Sequence, residues 1–373
     1  MSKLPLLATC ATLAAGPLWA EAPQVVTDIA PVHALTSTVM DGVGTPVLLV
    51  KPGLSPHSYA LRPSQARALQ DADLVVWVGE GLAPWLEKPL ESLAGRGEML
   101  ELIEAEGTIK LPYRGADDVL AAAEAEHADH DHAVDDHDDH DHEEGHDDHD
   151  HDAHEEGHDD HDDHDHDAHE EGHDDHDGHG HDAHEEEHDE GHDEAGHHHH
   201  HGSYDPHAWL DPQNGAVWLE VIAEKLAALD PEHADLYRAN AAKGQAEIAA
   251  AVDEVTEALR PMQGVAFVSY HDAFQYFEKR FGLTLVGTVT PGDATDPSPA
   301  QLAQLRDRLV DLGVRCAFAE PQFDTGLLEA AVAGRDIPIL ELDPLGRRHE
   351  LGKGLYPALI RDLGAGFAAC AAH

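Results

Sequence analysis

Basic residues are scarce. The 373-residue chain holds 22 Lys+Arg against 75 Asp+Glu, for a formal charge of −53 at neutral pH. Binding to nucleic acid needs a basic footprint that displaces counterions from phosphates, so DNA and RNA are excluded as partners. Nor is there a polybasic segment to hold an anionic membrane surface. Long apolar runs are missing too. Beyond the first 20 residues none approaches the ~18 that a spanning helix needs, which excludes stable membrane insertion of the mature chain. Cysteine is nearly absent, with three in all and no Cys-x-x-Cys pair, so dithiol redox catalysis is excluded.

The charge is concentrated. Residues 124–201 contain 36 acidic residues, 27 histidines and no lysine or arginine, while the other 295 residues carry a net −17. Those 295 suffice for two domains with cores of their own. The segment is a repeat of low complexity, with 158–172 followed by a near copy at 173–187. It has too few apolar side chains to offset the entropy of ordering, so disorder is expected. A solvated acidic spacer would need only Asp and Glu. Imidazoles at this density instead form overlapping nitrogen and oxygen chelates for zinc, nickel or copper, each weaker than a preformed cage. Outside this segment there is no His-Glu-x-x-His or comparable base-bearing motif, which counts against an exported zinc hydrolase.

Residues 1–20 read as an export signal, with Lys3, an apolar stretch over 6–18 broken by Pro17, and Ala20 as a small cleavage residue. Cys10 would leave with it. The remaining pair, Cys316 and Cys370, is expected to form a structural disulfide in an exported chain.

The rest alternates strand-like apolar runs with helical stretches. Val25-Val26-Thr27-Asp28-Ile29, Val47-Leu48-Leu49-Val50, Leu74-Val75-Val76-Trp77-Val78 and Met99-Leu100-Glu101-Leu102-Ile103 precede the acidic segment. Val265-Ala266-Phe267-Val268, Leu283-Thr284-Leu285-Val286, Cys316-Ala317-Phe318-Ala319 and Ile337-Pro338-Ile339-Leu340 follow it. Continuous apolar strands between helices predict parallel sheets, hence an α/β protein of two lobes. Ser64 is expected to cap a helix over 64–71. Leu236, Ala241, Ile248, Val252, Val255 and Leu259 predict one long helix joining the lobes. The expected organisation is a first lobe at 21–120 and 203–230, the His-rich insert at 121–202, the connecting helix at 231–260 and a second lobe at 261–373.

Outside the insert and the terminal His373, six histidines remain. His33, His233 and His349 have ordinary structural explanations, and Arg347 and Arg348 beside His349 oppose a cation. His57, His207 and His271 all sit in strand-exit or helix-start loops, where α/β sheets bind ligands. Two come from the first lobe and one from the second, so convergence would place a metal in the cleft between them.

The stretches Pro52-Gly53 to His57-Ser58-Tyr59, Asp205-Pro206-His207-Ala208-Trp209-Leu210-Asp211-Pro212, Val268-Ser269-Tyr270-His271-Asp272-Ala273-Phe274, Ala319-Glu320-Pro321-Gln322-Phe323 and Leu342-Asp343-Pro344-Leu345-Gly346 together resemble the ZnuA-type periplasmic zinc-binding proteins. That resemblance implies two α/β lobes joined by one long helix, with an acidic His-rich loop at this same point. It also implies His57, His207 and His271 as zinc ligands, a Cys316–Cys370 disulfide, and a non-enzymatic, monomeric protein of the periplasm. Its role would be to capture Zn2+ and pass it to an ABC permease in the inner membrane. Some relatives carry a glutamate before the first ligand histidine, where this chain has Pro56. The fourth position therefore falls to water or to Asp343, with Glu320 as a less favoured neighbour. A manganese or iron receptor of the same architecture is the alternative, although three imidazoles with one oxygen suit tetrahedral zinc better.

Overall fold

The computed structural model describes residues 22–93, 97–114, 204–290 and 297–373. The expected export signal and the His-rich insert lie outside the described residues.

All eight apolar runs contribute strands. The first four form β1 (Val25–Thr27), β2 (Val47–Leu48), β3 (Leu74–Trp77) and β4 (Glu98–Glu101), in the order β2-β1-β3-β4. The last four form β5 (Ala266–Ser269), β6 (Thr284–Thr288), β7 (Cys316–Ala319) and β8 (Ile339–Glu341), in the order β6-β5-β7-β8. Every neighbouring pair is parallel. The central strands β1, β3, β5 and β7 are buried along their whole length, which explains why they lack polar alternation. The two sheets thus repeat one strand order. In each, the chain reverses direction across the sheet between the two central strands, and the crevice beyond their carboxyl ends is the natural binding position.

The helices are α1 (Ala30–Val39), α2 (Pro63–Asp71), α3 (Pro84–Leu93), α4 (Pro212–Leu229), α5 (Ala234–Ala258), α6 (Gln275–Phe281), α7 (Pro299–Asp311), α8 (Gly326–Val332) and α9 (Leu355–Cys370). Among the described residues, no helix is long and apolar enough to cross a membrane. Ser64 does not cap α2. The helix begins one residue earlier because Pro63 suits its first turn, and Gln65 Oε1 accepts from the Arg62 amide at 2.8 Å instead.

The long connecting helix is α5, whose 25 residues reach ~37 Å at ~1.5 Å each. It packs against α1 and α4 of the first lobe and against α9 of the second. Its buried stripe is Tyr237, Ala241, Gly244, Ile248, Ala251 and Val255, while Leu236 points outward at 39% exposure. Tyr237 is the better stripe residue because its ring is buried and its hydroxyl donates to Asp230 Oδ2 at 2.9 Å.

Cys316 and Cys370 form the expected disulfide, with Cα atoms 5.9 Å apart across a sequence separation of 54. It joins β7 to the last turn of α9. Both residues are fully buried beside Phe318 and Phe367, in one apolar cluster.

Candidate metal centre

His57 lies in the loop after β2. Its neighbour Pro56 is held by Trp85 of α3, whose Nε1 donates to the Pro56 oxygen at 2.7 Å. His207 precedes the short turn Ala208–Leu210 that leads into α4. Asp205 Oδ1 accepts both the His207 amide at 2.9 Å and its Nδ1 at 2.7 Å, a side-chain-mimicked turn that fixes backbone and ring together. His271 follows β5, and its Nδ1 lies 2.6 Å from Glu320 Oε1 at the end of β7. These two residues therefore stand on either side of the second sheet's reversal point.

The structure brings the three histidines together. One nitrogen from each lies within 4.8 Å of the others, and the ring centroids are 5.3, 5.3 and 6.2 Å apart. His207 and His271 are each 4% exposed, and His57 is half-buried. The Nε2 atoms of His207 and His271 are 3.4 Å apart. A carboxylate at each Nδ1 favours a proton there, the tautomer that presents Nε2 as the metal-ligating nitrogen. Tetrahedral zinc with nitrogen ligands at ~2.0–2.1 Å would set its nitrogens ~3.4 Å apart. The 3.4 Å separation of the two Nε2 atoms matches that spacing.

The surrounding cavity is about 20 Å³, walled by Trp209, Phe323, Pro344 and Leu345. It has room for one water-sized body. Gln322 and Glu320 also line it, and three of their buried polar atoms (Glu320 Oε2, Gln322 Nε2 and Gln322 Oε1) have no protein hydrogen-bond partner. Leaving such atoms unpaired costs roughly 1–3 kcal/mol each, so the residues suit a small polar guest.

Asp343 is not brought to the histidines in this way. Its carboxylate turns back into its own loop, accepting the amides of Leu345 at 3.1 Å, Gly346 at 3.1 Å and Arg347 at 2.7 Å. Of these two candidate carboxylates, Glu320, less favoured by sequence, touches a histidine of the cluster. The other histidines have structural partners. His33 meets the Pro46 oxygen and Ser37, His233 meets Asp230, and His349 meets Asp362.

Residues that the sequence reading passed over hold the His207 loop to the second lobe. Trp209 Nε1 donates to the Pro344 oxygen at 2.8 Å. The Tyr276 hydroxyl donates to the Asp205 oxygen at 2.9 Å, and Arg280 pairs with Asp211 through two 2.8 Å contacts. Arg114 reaches Asp272 at 2.7–3.1 Å and both Glu278 oxygens at 2.8 Å. Burial pushes the Glu278 carboxyl up to about 8, and Arg114 opposes that rise. The only signal for Asp205 was its place two residues before His207, a spacing suited to an Asp-capped turn.

Comparison with known proteins decides the family. Residues 25–370 match the zinc-uptake complex component A, periplasmic. The chain belongs to that family. A high-affinity zinc uptake system protein of Paracoccus denitrificans (strain Pd 1222) is 44% identical over 370 residues, covering 99% of this chain and 98% of that protein. The crystal structure of a ZnuA shares the fold at TM-score 0.64 and 20% identity, covering 94% of this chain and 99% of that one. A substrate-binding protein of Pseudomonas aeruginosa solved in complex with Mn2+ does so at TM-score 0.64 and 17% identity, covering 93% and 98%. Family membership makes this a periplasmic solute-binding protein rather than an enzyme, with its histidine cluster between the lobes.

Proposed function

We propose that His57, His207 and His271 ligate one zinc ion in the cleft, and that the protein hands this ion to an ABC permease of the inner membrane. The observation that carries the reading is the 3.4 Å spacing of the His207 and His271 Nε2 atoms, with each opposite Nδ1 tied to a carboxylate. The fourth position then falls to water, in reach of the unpaired Glu320 and Gln322 atoms. Asp343 already accepts three amides of its own loop, each worth ~1.5–3 kcal/mol to a charged acceptor. Three nitrogens with one oxygen favour zinc over manganese, which prefers more carboxylate oxygens.

The His-rich insert would gather further ions and raise their local concentration near the cleft. Calorimetry on a chain lacking residues 124–201 tests both parts. Lower stoichiometry with one tight zinc site retained, and lost on His207→Ala, supports the reading. Absence of tight binding in the shortened chain overturns the cleft assignment.

A further inference from the structure

The segment at 111–114 is a junction between His207 and His271. On one side, Asp205 donates its amide to the Leu111 oxygen at 2.8 Å, and Pro112 bridges Tyr204, so His207 follows two residues beyond a pinned point. On the other side, Leu111 donates its amide to the Tyr276 hydroxyl at 2.9 Å, and Arg114 reaches across to Asp272 and Glu278. Asp272 is the residue after His271, and Glu278 lies in the first turn of α6, the helix that this loop feeds. Arg114 thus grips both ends of the short piece of chain that presents His271.

Its geometry is that of a fixed clamp. Nε and Nη2 fork onto the Asp272 carboxylate, and Nη2 also meets both Glu278 oxygens. The side chains are 16%, 17% and 4% exposed, so solvent screens these contacts poorly. The guanidinium offers a planar fork that an ammonium cannot reproduce. Without it, the Asp272 carboxylate and the buried Glu278 carboxyl would both lose their cationic partner at the base of the His271 loop.

We propose that Arg114 is a positioning residue for the metal ion, setting the separation of His207 and His271 by clamping Asp272 and Glu278 to the junction that also holds Asp205. The inference rests on the three histidines being the zinc ligands. Groups that orient metal ligands without touching the ion typically change affinity 10–100-fold when removed.

The test is a double-mutant cycle on the full-length chain, with zinc affinity read by competition against a chelator and thermal stability measured without metal. Arg114→Gln should weaken the tight site about tenfold or more, and Arg114→Lys, which keeps the charge but loses the fork, by less. On a His271→Ala background Arg114→Gln should have no further effect, because the ligand it positions is gone. Should Arg114→Gln fold poorly, the lysine variant carries the same comparison. Tight binding unchanged in both Arg114 variants overturns the proposal, as does an equal loss with and without His271, which would mark a purely structural role. Tight binding that survives His271→Ala alone would instead refute the ligand assignment.

Discussion

The hydroxyl of Tyr356 donates to the main-chain oxygen of Trp209 at 2.7 Å, a bond from α9 of the second lobe into the loop that carries His207. The ring reaches that oxygen only because residue 215, on α4, has no side chain. A Cβ there would lie 2.3 Å from the Tyr356 oxygen and 2.5 Å from its ring carbon. Gly→Ala inside a helix ordinarily adds up to ~1 kcal/mol of stability. Here overpacking, at ~1–3 kcal/mol, should win and reverse the sign. Gly215→Ala is therefore expected to unfold at lower urea than the parent and to bind zinc more weakly. A gain in stability would show that Tyr356 moves aside without cost.

The carboxylates behind the histidines should matter more than Asp343. Asp205→Asn and Glu320→Gln each replace the charged acceptor at a ring Nδ1 with a neutral amide, and each should weaken zinc binding by ~10–100-fold. Asp343→Asn should leave zinc affinity unchanged while loosening its own turn. Chelator competition on the three variants reads this directly, and a large loss with Asp343→Asn would assign the fourth position to that residue.

Replacing Cys316 and Cys370 with alanine opens a crosslink spanning 54 residues. Constraint of the unfolded chain by such a loop stabilises the fold by ~3–4 kcal/mol. The pair sits in the Phe267, Phe318 and Phe367 cluster rather than at the histidines. Denaturant titrations should show the loss, with zinc affinity of the folded variant retained.

Acid sensitivity should be set in part by His33. Burial pushes its pKa down, so the folded chain keeps it neutral while the unfolded chain accepts a proton below ~6.5. Its contribution to stability is therefore present above that pH and lost as pH falls. Asp28 runs the opposite way. Burial raises its carboxyl to about 7, against two amide contacts that favour the charge, so its contribution is present in acid and lost as pH rises toward neutral. His33→Gln should flatten the acid side of a stability profile measured with metal removed, leaving the slope from Asp28 exposed. An unchanged profile would mean that the His33 proton is accommodated by Ser37 and the Pro46 oxygen.

The fold was largely legible because its two parallel sheets are buried on both faces, which writes strands such as Leu74–Trp77 and Cys316–Ala319 as unbroken apolar runs. The histidines were legible because each sits just past a strand or just before a helix. What holds them was not. The Trp209–Pro344 and Tyr356–Trp209 bonds link residues 135 and 147 positions apart, and each ends on a main-chain oxygen that every residue possesses. Arg114 was hidden for another reason. Beside a long acidic stretch it reads as a surface charge, and only the folded chain shows it between Asp272 and Glu278. Asp343 lies in a loop that lines the cavity through Pro344 and Leu345, and its own carboxylate accepts amides of that turn, a detail that only the folded backbone displays.

The chain departs after Arg114 and returns at Tyr204 beside Pro112, with Asp205 already bonded to Leu111. The pairing that positions His207 is thus completed by residues flanking the departure, whatever number of residues intervenes. Loop closure costs only ~0.6 kcal/mol more for each doubling of the number of residues enclosed. A repeat that grows or shrinks by copying errors at this point would meet little thermodynamic resistance. The number of residues between Arg114 and Tyr204 can therefore change without re-engineering the cleft.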